Sequence, residues 1–363
     1  MSGGRARGGG GEPNASTGAG EVGGLDVVRG EGRAAVGRAR GHEGAEGVPE
    51  GRGGLLVVGD VVTDVVARYR GPLAVGTDTA AVVRRMPGGA GANVACWAAH
   101  WGCGDVRMLG RVGVAEAAWH ERELARCGVR PQLVVDPQAP TGTVICLVDS
   151  GAAAERTFLT DSGAALRLEA GDWSEGLLDG VGRLHLSGYL LFAATGREVF
   201  RAAVASARAR GVPVSLDPAS AGFLAELGTR RFLELVAGVD VLLPSRDEAC
   251  LLTGRADTAE AAVELSRRIP VVIAKDGPQG ALVAREGTLL ARVPAVPARL
   301  HDTTGAGDAF TGAFLATLLT GATPEAAATE GCRAGARAVE EVGARPPVKG
   351  SGGSDVKGRT TVL

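Results

Sequence analysis

Residues 301–321 read HDTTGAGDAFTGAFLATLLTG, and the turn they encode is the most informative stretch of the chain. Small and hydroxyl residues lead to Gly305-Ala306-Gly307, after which AFTGAFLATLL continues with the apolar spacing of a helix. Small residues at a helix start let successive N–H groups converge on one point, and the helix dipole adds partial positive charge there. The turn is therefore suited to an anion such as a phosphate. Asp308 falls in the first helical turn, where the dipole favours its carboxylate and predicts that it stays ionised at neutral pH. A carboxylate beside an anion hole can take a proton from an attacking alcohol while the N–H groups neutralise charge on a transferred phosphoryl group. Taken alone, the same four residues also fit a capped helix after a tight turn.

Outward from this turn, strand-like and helix-like patterns alternate. LLVVGDVV (55–62), VSLD (214–217), VDVLLP (239–244) and PVVIA (270–274) read as buried strands. REVFRAAVASARAR, TAEAAVELSRR and PEAAATEGCRAGARAVEEV have helical spacing. This rhythm predicts an α/β fold, a doubly wound, mostly parallel sheet flanked by helices. The extended pieces in 63–86 and 142–160, among them TGTVICLVD and ERTFLTD, predict a small accessory β sheet acting as a lid. One domain is expected over 54–346. Residues 1–53, roughly one-third glycine with interspersed Glu and Arg, and residues 347–363 are expected to be flexible tails.

The composition narrows the function classes. Of 363 residues, 45% are hydrophobic and 22% charged, ordinary for a globular core. Net charge is -2, and lysine occurs only at 275, 349 and 357, with arginines scattered among acids. No basic stripe offers itself to nucleic acid. Six widely spaced cysteines form no C-x-x-C pair, which predicts reduced thiols rather than disulfides or zinc. With no apolar run long enough to span a membrane and no signal-peptide pattern, a cytoplasmic location is expected.

A second glycine-rich stretch, MPGGAGANVACWAAHWG, covers 86–102. Gly88, Gly89 and Gly91 permit close backbone approach to a ligand, and Asn93 can donate and accept hydrogen bonds at once, which suits a polyol. A dinucleotide turn would need a strand immediately before the glycines, and Met86-Pro87 is a poor strand end. No G-x-x-x-x-G-K-[ST] and no protein-kinase motif occurs. Trp97 and Trp101, one helical turn apart, read as core; His185 and His301 read as structural. Arg156 is a weak candidate for an anionic or polyol contact.

Together, DTTGAGDAF and PGGAGANVA resemble the signatures of the ribokinase-like, or PfkB, family of carbohydrate kinases, over nearly all of 54–346. GDVVTD (59–64), HLSGY (185–189), LDPAS (216–220), LLPSRDEA (242–249) and KDGPQGALV (275–283) fit the same resemblance. It implies an ATP-dependent kinase with Asp308 as catalytic base and an anion hole at Gly305, Ala306 and Gly307. It assigns Asp64, Gly88, Gly89 and Asn93 to sugar hydroxyls, Lys275 and Gly277 to the nucleotide, and Glu248 to Mg²⁺ through water. It gives Asp302 and Thr304 to a monovalent cation such as K⁺ where the family has one. Ser245 stands where the family often has asparagine, VAEAAWHE follows Gly113 where acids and a glycine are usual, and Ala90 and Cys332 replace a common lysine and asparagine. The implied partners are a small sugar and ATP, with a homodimer through the lid. A nucleoside kinase of the same fold and a non-catalytic sugar or nucleotide sensor are the alternatives; few aromatics in the lid, Tyr69 and Phe158, argue against a stacked base.

Overall fold

Gly54–Val58, GLLVV, forms the first strand, β1, and every residue in it is buried. Leu56 and Val58 enter one hydrophobic cluster, and Leu55 and Val57 enter another. A strand apolar at every position is one covered by helices on both faces.

The computed structural model describes residues 53–149 and 156–347. The expected tails, apart from Gly53 and Pro347, lie outside these residues, and so does the side chain of Arg156. After β1 come β2 (Val62–Tyr69), β3 (Ala81–Gly88), α1 (Ala90–His100), β4 (Val106–Gly113), α2 (Ala117–Arg126), β5 (Val129–Asp136), β6 (Thr141–Asp149) and β7 (Arg156–Gly163). The chain continues through β8 (Val181–Ser187), α3 (Ala194–Ala209), β9 (Val214–Asp217), α4 (Ala221–Leu227), α5 (Thr229–Leu235), β10 (Val241–Leu242), α6 (Arg246–Thr253) and α7 (Thr258–Leu265). It ends with β11 (Val271–Lys275), β12 (Ala281–Arg285), β13 (Thr288–Val293), α8 (Ala306–Leu318) and α9 (Pro324–Ala338).

The large sheet has the order β13-β12-β11-β10-β9-β8-β1-β4-β5. All pairs from β11 to β5 are parallel, and β12 and β13 add an antiparallel edge. Helix α3 packs Val199 and Phe200 against one face, while α1, α8 and α9 bring Val94, Phe314 and Ala328 to the other. This is the expected doubly wound α/β architecture. Chain order reverses between β1 and β8, and in such sheets ligands bind beyond the carboxyl ends of the strands at that crevice.

A four-stranded sheet, β3-β2-β6-β7, stands apart from the large one. Its outer pairs are antiparallel and its central pair, β2 with β6, is parallel. Here one expectation needs correcting. Met86 and Pro87 do lie in a strand, β3, with Pro87 opposite Thr63. Because β3 is an edge strand, proline's missing N–H costs no ladder bond. The glycines therefore follow a strand after all, but one of the small sheet rather than the parallel sheet, and it is this that removes the dinucleotide-turn reading. Strands β4 and β5 had no clear signal, because arginines interrupt their apolar run. Arg111 is accommodated by donating to Asp136 at 3.0 Å and Asp172 at 2.9 Å.

Candidate active site

The turn before α8 is held by its own acid and by a distant segment. Asp302 accepts the Thr304 N–H at 2.8 Å on Oδ1 and the Gly343 N–H at 3.3 Å on Oδ2. Gly305 has φ 75°, and a Cβ there would lie 2.6 Å from Ala344 Cα, so both conformation and space require glycine. Ala306 N–H donates to Thr303 at 3.3 Å, and Gly305 C=O accepts from Ala309 at 2.8 Å. The N–H groups of Gly307 and Asp308 belong to the first helical turn, where no helical carbonyl precedes them.

Asp308 faces a pocket of about 320 Å³. Asp60, Gly89, Ala90, Asn93, Thr304 and Gly305 line its floor, and Val144, Phe158, Thr160 and Ser162 of the small sheet line its roof, with Asp64 between them. Asn93 Nδ2 donates to Asp308 Oδ2 at 2.9 Å, joining α1 to α8 across the two glycine-rich turns. Burial pushes the Asp308 carboxyl up to about 7, with the Asn93 hydrogen bond working against it and the charge of Asp217 with it. The expectation that the helix dipole keeps this group ionised is thereby corrected: at neutral pH Asp308 is poised between its two forms, because desolvation and neighbouring acids outweigh the dipole. Asp64, on β2, is likewise raised to about 7 by burial, with Arg345 opposing and Asp60 adding. A Cβ at Gly88 would collide with the Asp64 carboxylate, and one at Gly89, φ 98°, would lie 2.5 Å from the Asp60 carbonyl.

On the other side of Asp308, Lys275 at the end of β11 pairs with Asp217 at the end of β9. Thr311 of α8 donates to the same carboxylate at 3.0 Å. Burial works against the Lys275 charge, but Asp217 and Glu248 more than offset it, so the ammonium stays protonated. Its Nζ is 3.6 Å from the place a Cβ of Gly307 would take, at the mouth of the proposed anion hole. Glu248 accepts the Ser245 N–H at 2.7 Å, and Ser245 Oγ accepts the Glu248 N–H at 3.3 Å. Serine at this position thus caps α6, and Glu248 is its reciprocal partner. Burial, then the charge of Asp217, raises Glu248, with Lys275 opposing. Gly277, two residues beyond Lys275, lies in an exposed turn at φ 54°. Among the described residues no cluster of three or more His, Cys, Asp or Glu is arranged to hold a metal.

Comparison with known proteins decides the family. The model described as pfkB family carbohydrate kinase matches residues 53–349. The chain belongs to the pfkB family. The fructokinase of Klebsiella pneumoniae is 30% identical over 288 residues, covering 75% of this chain and 87% of that protein. The bifunctional protein HldE of Escherichia coli O9:H4 (strain HS) is 28% identical over 297 residues, 74% of this chain; the match spans only 56% of HldE, about half its length. Among solved structures, a candidate ribokinase II from E. coli in complex with ATP and Mg²⁺ superposes with TM-score 0.71 at 24% identity, over 81% of this chain and 94% of that one.

Within this pfkB-family site several residues had escaped sequence reasoning. Asp60, just past β1, accepts the Ala90 N–H at 2.6 Å, the Gly91 N–H at 3.2 Å and the Ser187 hydroxyl at 2.9 Å. Its position after a β-branched run ending in glycine was the available signal. Arg345 donates to Asn93 Oδ1 at 3.4 Å and Gly88 C=O at 3.2 Å, and nothing in its local sequence announces this. Tyr189 and Phe223 line the pocket from the large domain and pack with Phe192, ring centroids 4.9–5.9 Å apart. A count of aromatics in the small sheet alone therefore understated the aromatic surface of the pocket. The segment after Gly113 ties to the small sheet, with Thr63 donating to Glu116 at 3.0 Å. Trp97 is fully buried, its Nε1 donating to Ala344 C=O at 2.9 Å. His185 is buried against Ser215, and burial lowers it to about 4; exposed His301 meets the Glu340 carbonyl. No helix among the described residues is long and apolar enough to cross a membrane.

Proposed function

We propose that this pfkB-family kinase transfers the γ-phosphoryl group of ATP to a hydroxyl of a small carbohydrate, with Asp308 as base. The observation that carries the reading is the Asn93–Asp308 hydrogen bond. It sets a carboxylate poised near neutrality between a pocket rich in polyol partners and a helix N-terminus open to phosphate. A base with pKa near the working pH combines sufficient ionised fraction with sufficient basicity.

In this reading the acceptor hydroxyl lies against Asp308, while Asp64 and Asn93 bind its other hydroxyls. The anion hole of the Gly305-Ala306-Gly307 turn, acting through the open first-turn N–H groups of Gly307 and Asp308 with Lys275 beside them, neutralises charge on the moving phosphoryl group. Bound ATP brings Mg²⁺, which would neutralise the phosphates; the carboxylates of buried Glu248 and half-buried Asp217 are the acids on that side able to orient its waters. The small sheet closes over the acceptor through Phe158, Thr160 and Ser162 and excludes water, the competing acceptor. Its edge strand β3 exposes Val82 and Val83, which suits pairing with a second copy.

The test is Asp308→Asn assayed by coupled ADP release. We expect kcat to fall by ~10²–10⁴ with ATP binding retained; turnover comparable to the wild type would remove the base assignment. A panel of ribose, fructose, 2-keto-3-deoxygluconate, adenosine and pseudouridine identifies the acceptor. The Tyr189–Phe223 surface favours one second reading, a nucleoside whose base stacks there, and preference for adenosine or pseudouridine would select it. Measurable sugar binding with no ADP release across the panel would instead select a sensor.

A further inference from the structure

Arg68, on β2 of the small sheet, reaches across to the turn before α8. Its Nη2 lies 3.5 Å from Asp302 Oδ2. Asp302 is the acid that the family resemblance assigns to a monovalent cation, and its surroundings can be tested against that role. Oδ1 accepts the Thr304 N–H and Oδ2 the Gly343 N–H. The Val339 carbonyl, against the same turn, accepts the His301 N–H at 2.8 Å and the Asp302 N–H at 3.1 Å, which commits both its lone pairs. A potassium ion needs several oxygens with free lone pairs and a net negative field. Here the Val339 carbonyl is fully committed, each Asp302 oxygen already accepts one N–H, and the guanidinium against Oδ2 supplies positive charge that a second cation would have to approach.

The geometry points to Arg68 as a built-in replacement for the monovalent cation. It holds the Asp302 carboxylate, and through it the Thr304–Gly305 turn, so that phosphoryl transfer proceeds without K⁺. Arg68 is thus a positioning residue: it touches neither reacting atom and acts through Asp302 on the N–H groups of the turn. Because Asp64 and Arg68 lie on one strand, the strand that would meet the acceptor also carries this charge to the phosphate turn.

The inference rests on the kinase reading for its rate arm but has a second arm that does not. Rates and melting temperatures are measured at constant ionic strength in KCl and in tetramethylammonium chloride, which screen charge equally but differ in the ability of the cation to enter a small site. The wild type is expected to give the same rate and the same melting temperature in both salts. Arg68→Ala is expected to turn over several-fold more slowly in tetramethylammonium and to melt higher in KCl, since ion binding to the native state stabilises it. Arg68→Lys is expected to keep the indifference of the wild type. Activation or thermal stabilisation of the wild type by K⁺ would overturn the assignment, as would an Arg68→Ala protein that matches the wild type in every salt. Should no acceptor be found, the melting arm still decides the role of Arg68, so its failure is distinct from failure of the kinase reading.

Discussion

Two carboxyls, Asp308 and Asp64, are each raised to about 7 by burial, and this links pH to both activity and stability. A carboxyl whose folded pKa lies above its unfolded value binds its proton more tightly in the native state. Stability falls as pH rises from the unfolded value near 4 through 7, because the fold resists the charge. Asp308→Asn should accordingly raise the melting temperature more at pH 8 than at pH 5, as scanning calorimetry would show. A stabilisation equal at both values would contradict the charge as its cause. Activity runs the opposite way: kcat/KM should rise through about pH 7 as Asp308 loses its proton. Because the Asn93 hydrogen bond lowers the Asp308 carboxyl, Asn93→Ala should move that limb to higher pH as well as weaken turnover. A pH–rate profile of the variant superposing on the wild type would break the proposed link.

At the level of elements, the two glycine-rich turns were legible because each concentrates its chemistry in one contiguous run before one helix. Gly305 and Gly307 show how differently neighbouring glycines in such a run are constrained. Gly305→Ala forces a side chain to φ 75° and into Ala344, and should cost about 1–3 kcal/mol together with most of the activity. Gly307→Ala meets only the Lys275 Nζ at 3.6 Å, so it should melt like the wild type and lose rate by filling the space over the N–H groups. Equal losses of stability in the two variants, measured by chemical denaturation, would refute this contrast. What stayed illegible came from pairings between distant strands. Asp217 meets Lys275 across 58 positions, Arg345 meets Asn93 across 252, and Tyr189 reaches the pocket only because β8 ends beside β1. No local pattern encodes such contacts. Met86-Pro87 was misread for a related reason, since whether proline fits a strand depends on its being at an edge, which only the assembled sheet determines.

Over the whole molecule, the large sheet presents a rigid rim of strand ends, while the small sheet covers the pocket from β2, β6 and β7. Acceptor binding should slow amide exchange in Val62–Tyr69 and Thr141–Asp149 and leave β1 and β8 unchanged, a pattern hydrogen-exchange mass spectrometry resolves. Uniform protection, or none in the small sheet, would argue against closure.

Residues 343–345 make the final connection: Gly343 donates to Asp302, Ala344 packs under Gly305 and accepts from Trp97, and Arg345 bonds Asn93. Three consecutive positions thus join the turn before α8, 41 residues upstream at Asp302, to α1 and its glycine-rich turn, 247–257 residues upstream. During synthesis, the strands and both glycine-rich turns leave the ribosome before that tie exists. A nascent chain halted short of residue 345 would carry every proposed reacting group and still lack the brace that aligns them, so competence to phosphorylate should arrive abruptly, once residues 343–345 have left the ribosome.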